Sequence, residues 1–213
     1  MKQVPERAEV VIIGAGPSGA IAAALLQKQG RHVVVLERET FPRFSIGESL
    51  LPQCMVYIEE AGMLEAVNAA GFQFKNGAAF GWGEKYAYYD FQEKFTDGPG
   101  TTFQVERAVF DKVLADEAER QGVPIHYSHT ITDCDLEGEG VRLAYTDGNG
   151  KAGSIDCDFV LDASGFGRVL SRLLDLEAPS DFPVRQAAIT HVNDNLDPKE
   201  FDRNKILVTV HPT

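Results

Sequence analysis

Apolar residues follow two rhythms along this chain. Val10 to Ile13 are four β-branched residues in a row, the pattern of a strand buried on both faces of a parallel sheet. After glycines at 14, 16 and 19, the stretch from Ala20 to Gln29 is rich in strong helix formers and stops at Gly30, a natural helix end. A second apolar run, Val33 to Leu36, closes on Glu37. A helix is expected from about Gln53, and another over 107–121, where Val109, Phe110, Val113, Leu114 and Ala118 share one face ahead of Gly122. Ile125 to Tyr127 reads as a short strand. Residues 131–159 alternate apolar and polar around Asp147-Gly148-Asn149-Gly150, as an antiparallel hairpin does. Phe159 to Leu161 form a last buried strand that runs into Asp162-Ala163-Ser164-Gly165. Strands alternating with helices predict an α/β, Rossmann-like fold with a parallel sheet.

A different rhythm occupies the middle of the chain. Aromatic residues crowd the stretch from Phe72 to Phe103, and period-two alternation surrounds a Gly83-Glu84-Lys85 turn. Phe80 and Trp82 stand on one side of that turn, with Tyr86 and Tyr88 beyond it, which predicts part of an antiparallel sheet with an aromatic face. Those rings either form the core of a small sheet or line a hydrophobic pocket.

The glycines carry the first chemistry. Gly14, Gly16 and Gly19 stand in GxGxxG order between an apolar strand and a helix. In that setting the first allows a tight turn, the second lets backbone approach a pyrophosphate, and the third lets the helix pack closely on the strand. Unpaired N–H groups at the helix start favour an anion. Glu37, at the end of the next strand, is placed to accept hydrogen bonds from ribose hydroxyls and to repel a 2′-phosphate, which disfavours NADP. These residues leave NAD and FAD both open.

Charge narrows the classes further. The 213 residues carry 20 Lys and Arg against 32 Asp and Glu, for a net charge of −12, the opposite of a nucleic-acid binder. The three cysteines form no CxxC pair, and the first residues lack the apolar core of a signal peptide, so a cytoplasmic protein without membrane association is expected. His126 and His129 stand three apart without cysteine or carboxylate partners at useful spacing, so no metal is expected. Asp133, Asp135, Glu137 and Glu139 read as a solvated strand and turn. His191 and His211 fall in strand-like pieces near the end.

Three further stretches decide the cofactor. They are Glu37 to Pro52 (ERETFPRFSIGESLLP), Phe103 to Val123 (FQVERAVFDKVLADEAERQGV) and Asp158 to Leu174 (DFVLDASGFGRVLSRLL). In this order, behind the glycine motif, the chain resembles the flavin-dependent halogenases and their FAD-dependent relatives, the aromatic hydroxylases and geranylgeranyl-reductase-like proteins. The resemblance implies FAD, with Gly14, Gly16, Ser18 and Gly19 at its pyrophosphate, Glu37 at the adenosine ribose and Arg38 beside the adenine. It implies Arg43 facing the flavin half and a strap, Ile46 to Leu50 and including Ser49, bordering the isoalloxazine. Arg107 would contact FAD from the start of its helix, Ile131 would offer backbone to the adenine, and Asp162 with Gly165 would complete the ribityl and pyrophosphate contacts. Taken as residues alone, Asp162 could be a helix cap, Arg43 and Arg107 surface ion-pair formers, and Glu48 and Ser49 caps of the helix near Gln53. Hydroxylases have Asp-Gly where this chain has Ser164-Gly165, and the DASG spelling is the halogenase-like one.

The resemblance also implies a layout and a reaction. Residues 1–75 and 104–180 would form a discontinuous FAD-binding domain, and 76–103 with 181–213 part of a substrate-binding β-sheet domain, the N-terminal portion of a longer enzyme. Lys75 would be the catalytic lysine. Reduced FAD, oxygen and a halide would yield hypohalous acid, which Lys75 would present to an electron-rich aromatic substrate, free or on a carrier protein. A separate reductase would supply reduced flavin. Read without the resemblance, Lys75 before Asn76-Gly77 is a solvated turn residue. A monooxygenase or reductase on the same scaffold, and a non-catalytic FAD-binding chain, are the alternatives.

Overall fold

The structure is a computed structural model that describes residues 3–195, 197 and 199–211, so the extreme ends of the two expected domain ranges lie outside the described residues. Its larger sheet is built from β7 (Ile125–His126), β2 (Val33–Leu36), β1 (Arg7–Ile13), β10 (Ala152–Asp162), β9 (Val141–Thr146) and β8 (Thr130–Asp135), in that spatial order. The first four run parallel, and β10, β9 and β8 pair antiparallel.

Alternation within the apolar runs explains the two layers. Ile12, Val33 and Val35 face α1 (Pro17–Lys28), α2 (Gln53–Glu60), α3 (Leu64–Ala69) and α4 (Arg107–Arg120), in a core completed by Ala20, Ala23, Ala24, Phe110 and Leu114. Val11, Ile13, Val34 and Leu36 face the other way, onto Leu143, Ile155 and Cys157. Buried on both sides, β1 and β2 need the unbroken apolar runs that the sequence shows.

Three expectations are modified. Helix α1 begins at Pro17, three residues before Ala20, because proline at the first helical position forfeits no hydrogen bond. The second arm of the hairpin and the strand before Asp162 are one continuous element, β10. It pairs antiparallel with β9 over residues 152–157 and parallel with β1 over residues 156–162. The aromatic segment forms β4 (Gly77–Trp82) and β5 (Lys85–Asp90), an antiparallel pair that β11 (Lys205–Val210) joins in parallel, so this sheet is mixed. A strand returning after a long excursion through another sheet is free to enter in either sense. Between α5 (Val169–Leu173) and β11 the described residues form no further helix or strand. A two-stranded pair, β3 (Gln73–Lys75) with β6 (Thr102–Gln104), links the two larger sheets.

Candidate functional site

A cleft of about 910 Å3 opens beyond the carboxyl ends of β1, β2 and β10, where ligands bind in open parallel sheets. Its floor is the glycine turn. Gly14 has φ +99° and donates its N–H to the Leu36 carbonyl at 2.9 Å. A Cβ on Gly14 would lie 2.9 Å from the Ala163 carbonyl oxygen, and one on Gly19 only 1.9 Å from the Gly14 oxygen. Both positions therefore need glycine for the fold itself. Gly16 differs: its φ of −63° suits any residue, and a Cβ there would meet only the Arg43 guanidinium, at 3.4 Å. The protein's own packing leaves that space open, on the cleft side of the α1 N-terminus, where no side chain caps the helix. Ser18 lines the same wall. This cradle fits an anionic, closely approaching group such as a pyrophosphate.

Glu37 sits at the end of β2, 5% exposed. Its Oε2 accepts the Ala15 N–H at 2.7 Å, and its Oε1 accepts the Glu39 N–H at 2.8 Å. The carboxylate thus braces the glycine turn while lining the cleft. Arg38 lines it too, largely exposed and paired with Glu39 at 2.8 Å. Ile131, with His129 and Thr130, closes this end. His129 is buried, its Nδ1 2.7 Å from the Tyr127 carbonyl oxygen and its ring edge-on to His126.

Two arginines define the other end. Arg107, at the start of α4, makes a two-pronged bond to Asp111, with Nε 2.7 Å from Oδ1 and Nη2 3.0 Å from Oδ2. Its Nη1 donates to the carbonyl oxygens of Ile46 and Gly47 in the strap. Arg43 lies over the Phe41 ring and 3.4 Å from the same carboxylate. Asp111 is fully buried and orients both guanidiniums, and no motif in the sequence marks it. The available signal was its position four residues after Arg107, one helical turn on the same face.

The remaining expected residues fall at or behind the cleft wall. Ala163, Ser164 and Gly165 line the cleft, whereas Asp162 turns inward. Its Oδ1 accepts the Ser164 N–H at 2.9 Å and its Oδ2 the Leu170 N–H at 2.8 Å. Burial alone would raise the Asp162 pKa, but the hydrogen bonds from Ser164 and Leu170 prevail and hold it below the usual carboxylate range. Asp162 therefore shapes the turn that lines the site. Gly19 is likewise buried behind the wall.

Ser49 and Lys75 also lie off the cleft lining. Lys75 is 1% exposed, with Nζ 2.7 Å from Ser49 Oγ, 2.7 Å from the Leu50 carbonyl oxygen and 5.2 Å from the centre of the Phe91 ring. The turn-residue reading fails because β3 pairs Lys75 with Thr102 and draws its side chain beneath the strap. Burial pushes the Lys75 pKa below the usual lysine range, and Cys54 opposes that shift. Leu50 and Cys54 both line the cleft, so one residue's thickness separates the amine from it.

Comparison with known proteins shows the family. Residues 7–211 match the family described as the FAD binding domain, and the chain belongs to that family, whose cofactor is FAD. A tryptophan 2-halogenase of Chondromyces crocatus is 36% identical over 165 residues, covering 76% of this chain and 31% of its own. A crystal structure described as a flavoprotein/dehydrogenase of Cytophaga hutchinsonii has a TM-score of 0.81 at 47% identity, over 84% of this chain and 44% of that one. The myxobacterial chondrochloren halogenase, described as a variant of FAD-dependent halogenases, has a TM-score of 0.69 at 36% identity, over 75% of this chain and 37% of that one. The chain spans about a third of the length of the curated relatives it matches. Among the described residues, no helix is long and apolar enough to cross a membrane.

Proposed function

We propose that this chain forms the cofactor-binding part of an FAD-dependent oxidoreductase of the halogenase kind. The observation that carries the reading is the open space at Gly16, against an uncapped helix N-terminus, in a cleft with Glu37 at one end and two arginines at the other. In this reading the FAD pyrophosphate lies on Gly14, Gly16 and Ser18, held by backbone N–H groups and the helix dipole. Glu37 takes the adenosine ribose hydroxyls, with Arg38 and Ile131 at the adenine. Arg43 and Arg107 hold the flavin half, and Arg107 also fixes the strap by its carbonyls. Gly165 lets backbone approach the cofactor, and Asp162 keeps that turn in shape.

When bound and reduced, FAD supplies the oxygen activation that converts halide to hypohalous acid. The protein's part is to orient the cofactor, exclude water and hold an amine near it. Lys75 is that amine: it lies just beneath Leu50, and burial favours its uncharged form. The substrate is a small electron-rich aromatic compound, and reduced flavin comes from a separate reductase. Residues 1–75 with 104–180 serve the cofactor, and 76–103 with 181–213 begin the substrate side.

One observation favours a second reading. The chain is 47% identical to the Cytophaga flavoprotein/dehydrogenase, against 36% to the Chondromyces and chondrochloren halogenases. A reductase or monooxygenase on this scaffold would keep the cleft and use no halide. Titrating the purified chain with FAD tests the shared part, for which saturable binding with a resolved flavin spectrum is expected. Chloride- or bromide-dependent product formation by the longest natural form, lost in Lys75→Met, separates the two. Product formed equally without halide refutes halogenation.

A further inference from the structure

Lys75 is almost fully buried, and its ammonium group has no carboxylate partner among the described residues. Its two acceptors, Ser49 Oγ and the Leu50 carbonyl, are both neutral. The groups facing the amine are these two strap residues, the Phe91 ring after β5, and on α2 the thiol of Cys54, the titratable one. The Lys75 backbone is fixed from several directions. β3 pairs it with Thr102, the Asn76 N–H donates to the Asn204 carbonyl at 2.7 Å, and the Asn76 carbonyl accepts the Phe91 N–H at 2.7 Å. The backbone thus sets where Nζ sits and the strap sets where it points.

The two acceptors are not equivalent. A carbonyl oxygen can only accept, so it holds an N–H of either the ammonium or the amine. A hydroxyl accepts from the ammonium and, once a proton has gone, can rotate to donate to the nitrogen lone pair. Ser49 is also exposed, whereas Lys75 is sealed. Any proton exchanged by the amine must pass a group that both accepts and donates and that reaches water, and Ser49 Oγ is 2.7 Å away.

We propose that Ser49 is the positioning residue of Lys75: its hydroxyl aims the amine and passes its proton to and from solvent. This rests on the reading of Lys75 as the amine that takes up hypohalous acid. In that step the ammonium first gives one proton to Ser49 Oγ, whose own proton leaves to water. The amine nitrogen then bonds the halogen of the hypohalous acid, its displaced hydrogen joins the hydroxide as water, and no external oxidant is consumed. The residue acts through Lys75 and touches neither halogen nor substrate.

The test reads Lys75 directly and needs no halide or oxygen. Competitive acetylation of the FAD-loaded chain across pH, with peptide mass spectrometry, gives the pH midpoint of Lys75 reactivity against the exposed lysines 85 and 94. In Ser49→Ala the ammonium keeps one acceptor of two, so its midpoint falls by about one pH unit, a tenfold change in the ammonium-to-amine ratio. Ser49→Thr, which restores the hydroxyl, returns the midpoint to the wild-type value. An unmoved midpoint in Ser49→Ala, or the same shift in Ser49→Thr, overturns the proposal. Should Lys75→Met of the longest form still halogenate, the reading of Lys75 fails while the hydroxyl–amine coupling remains measurable.

Discussion

The perturbation that best probes the cleft is Asp111→Asn, a change of one oxygen to an amide at a site with no exposed surface. Asp111 accepts two hydrogen bonds from Arg107 and faces Arg43 at 3.4 Å. Each hydrogen bond to a charged group contributes about 1.5–3 kcal/mol, and breaking a fully buried ion pair costs about 3–5 kcal/mol. Here the two arginine side chains are 15% and 20% exposed, so water can take up part of the lost bonding. The asparagine also keeps one acceptor oxygen. A loss of about 2–3 kcal/mol follows, which lowers Tm by about 4–12 °C in a domain of this size. Circular-dichroism melting measures it. With Arg107 released from its anchor, its hold on the Ile46 and Gly47 carbonyls loosens, and FAD affinity should fall about tenfold. A variant melting within about 2 °C of wild type, the range of a surface substitution, would refute the anchor argument.

Other expectations can be checked on the same chain. Gly16→Ala should fold normally yet lose at least about tenfold in FAD affinity, because its methyl fills the cradle alone. Gly19→Ala should fail to give a cooperative melt, since its methyl collides with backbone at 1.9 Å. Because the folded-state pKa of Asp162 lies below its unfolded value near about 3.9, its stabilisation is present above that value and is lost as pH falls through the folded one. Asp162→Asn should therefore flatten the acid limb of the stability profile, and an unchanged limb in urea titrations below about pH 4 counts against it. Cys54 lines the cleft while Cys134 and Cys157 are buried. Alkylation should reach Cys54 first, slowly because burial raises its pKa, and saturating FAD should suppress it.

The β1–α1–β2 unit could be read from the sequence because its signals are local: an unbroken apolar run, glycines at fixed offsets, and a carboxylate ending the next strand. What escaped depends on distant partners. The unity of β10 was hidden because its alternation belongs to the antiparallel half and its apolar run to the parallel half, and the pattern changes where the neighbours change. Nothing in a helical period says that two arginines converge on Asp111. Lys75 looked solvated because its cover, the strap at 46–50, lies 25 residues away. The sense of β11 is set by where the chain returns from, which side-chain pattern does not encode.

The dual membership of β10 makes the molecule unevenly tolerant of length changes. The tip of the turn, Asn149–Gly150, is exposed and can lengthen at little cost, because loop closure depends only weakly on length. One residue inserted at 156–157, where β10 pairs with both β9 and β1, must be absorbed against both neighbours at once. If it slips past β1, inward and outward positions exchange all the way to 162, and the turn that lines the cleft loses its internal brace. Related chains should therefore vary freely at the hairpin tip and keep a constant count from the middle of that strand to the cleft.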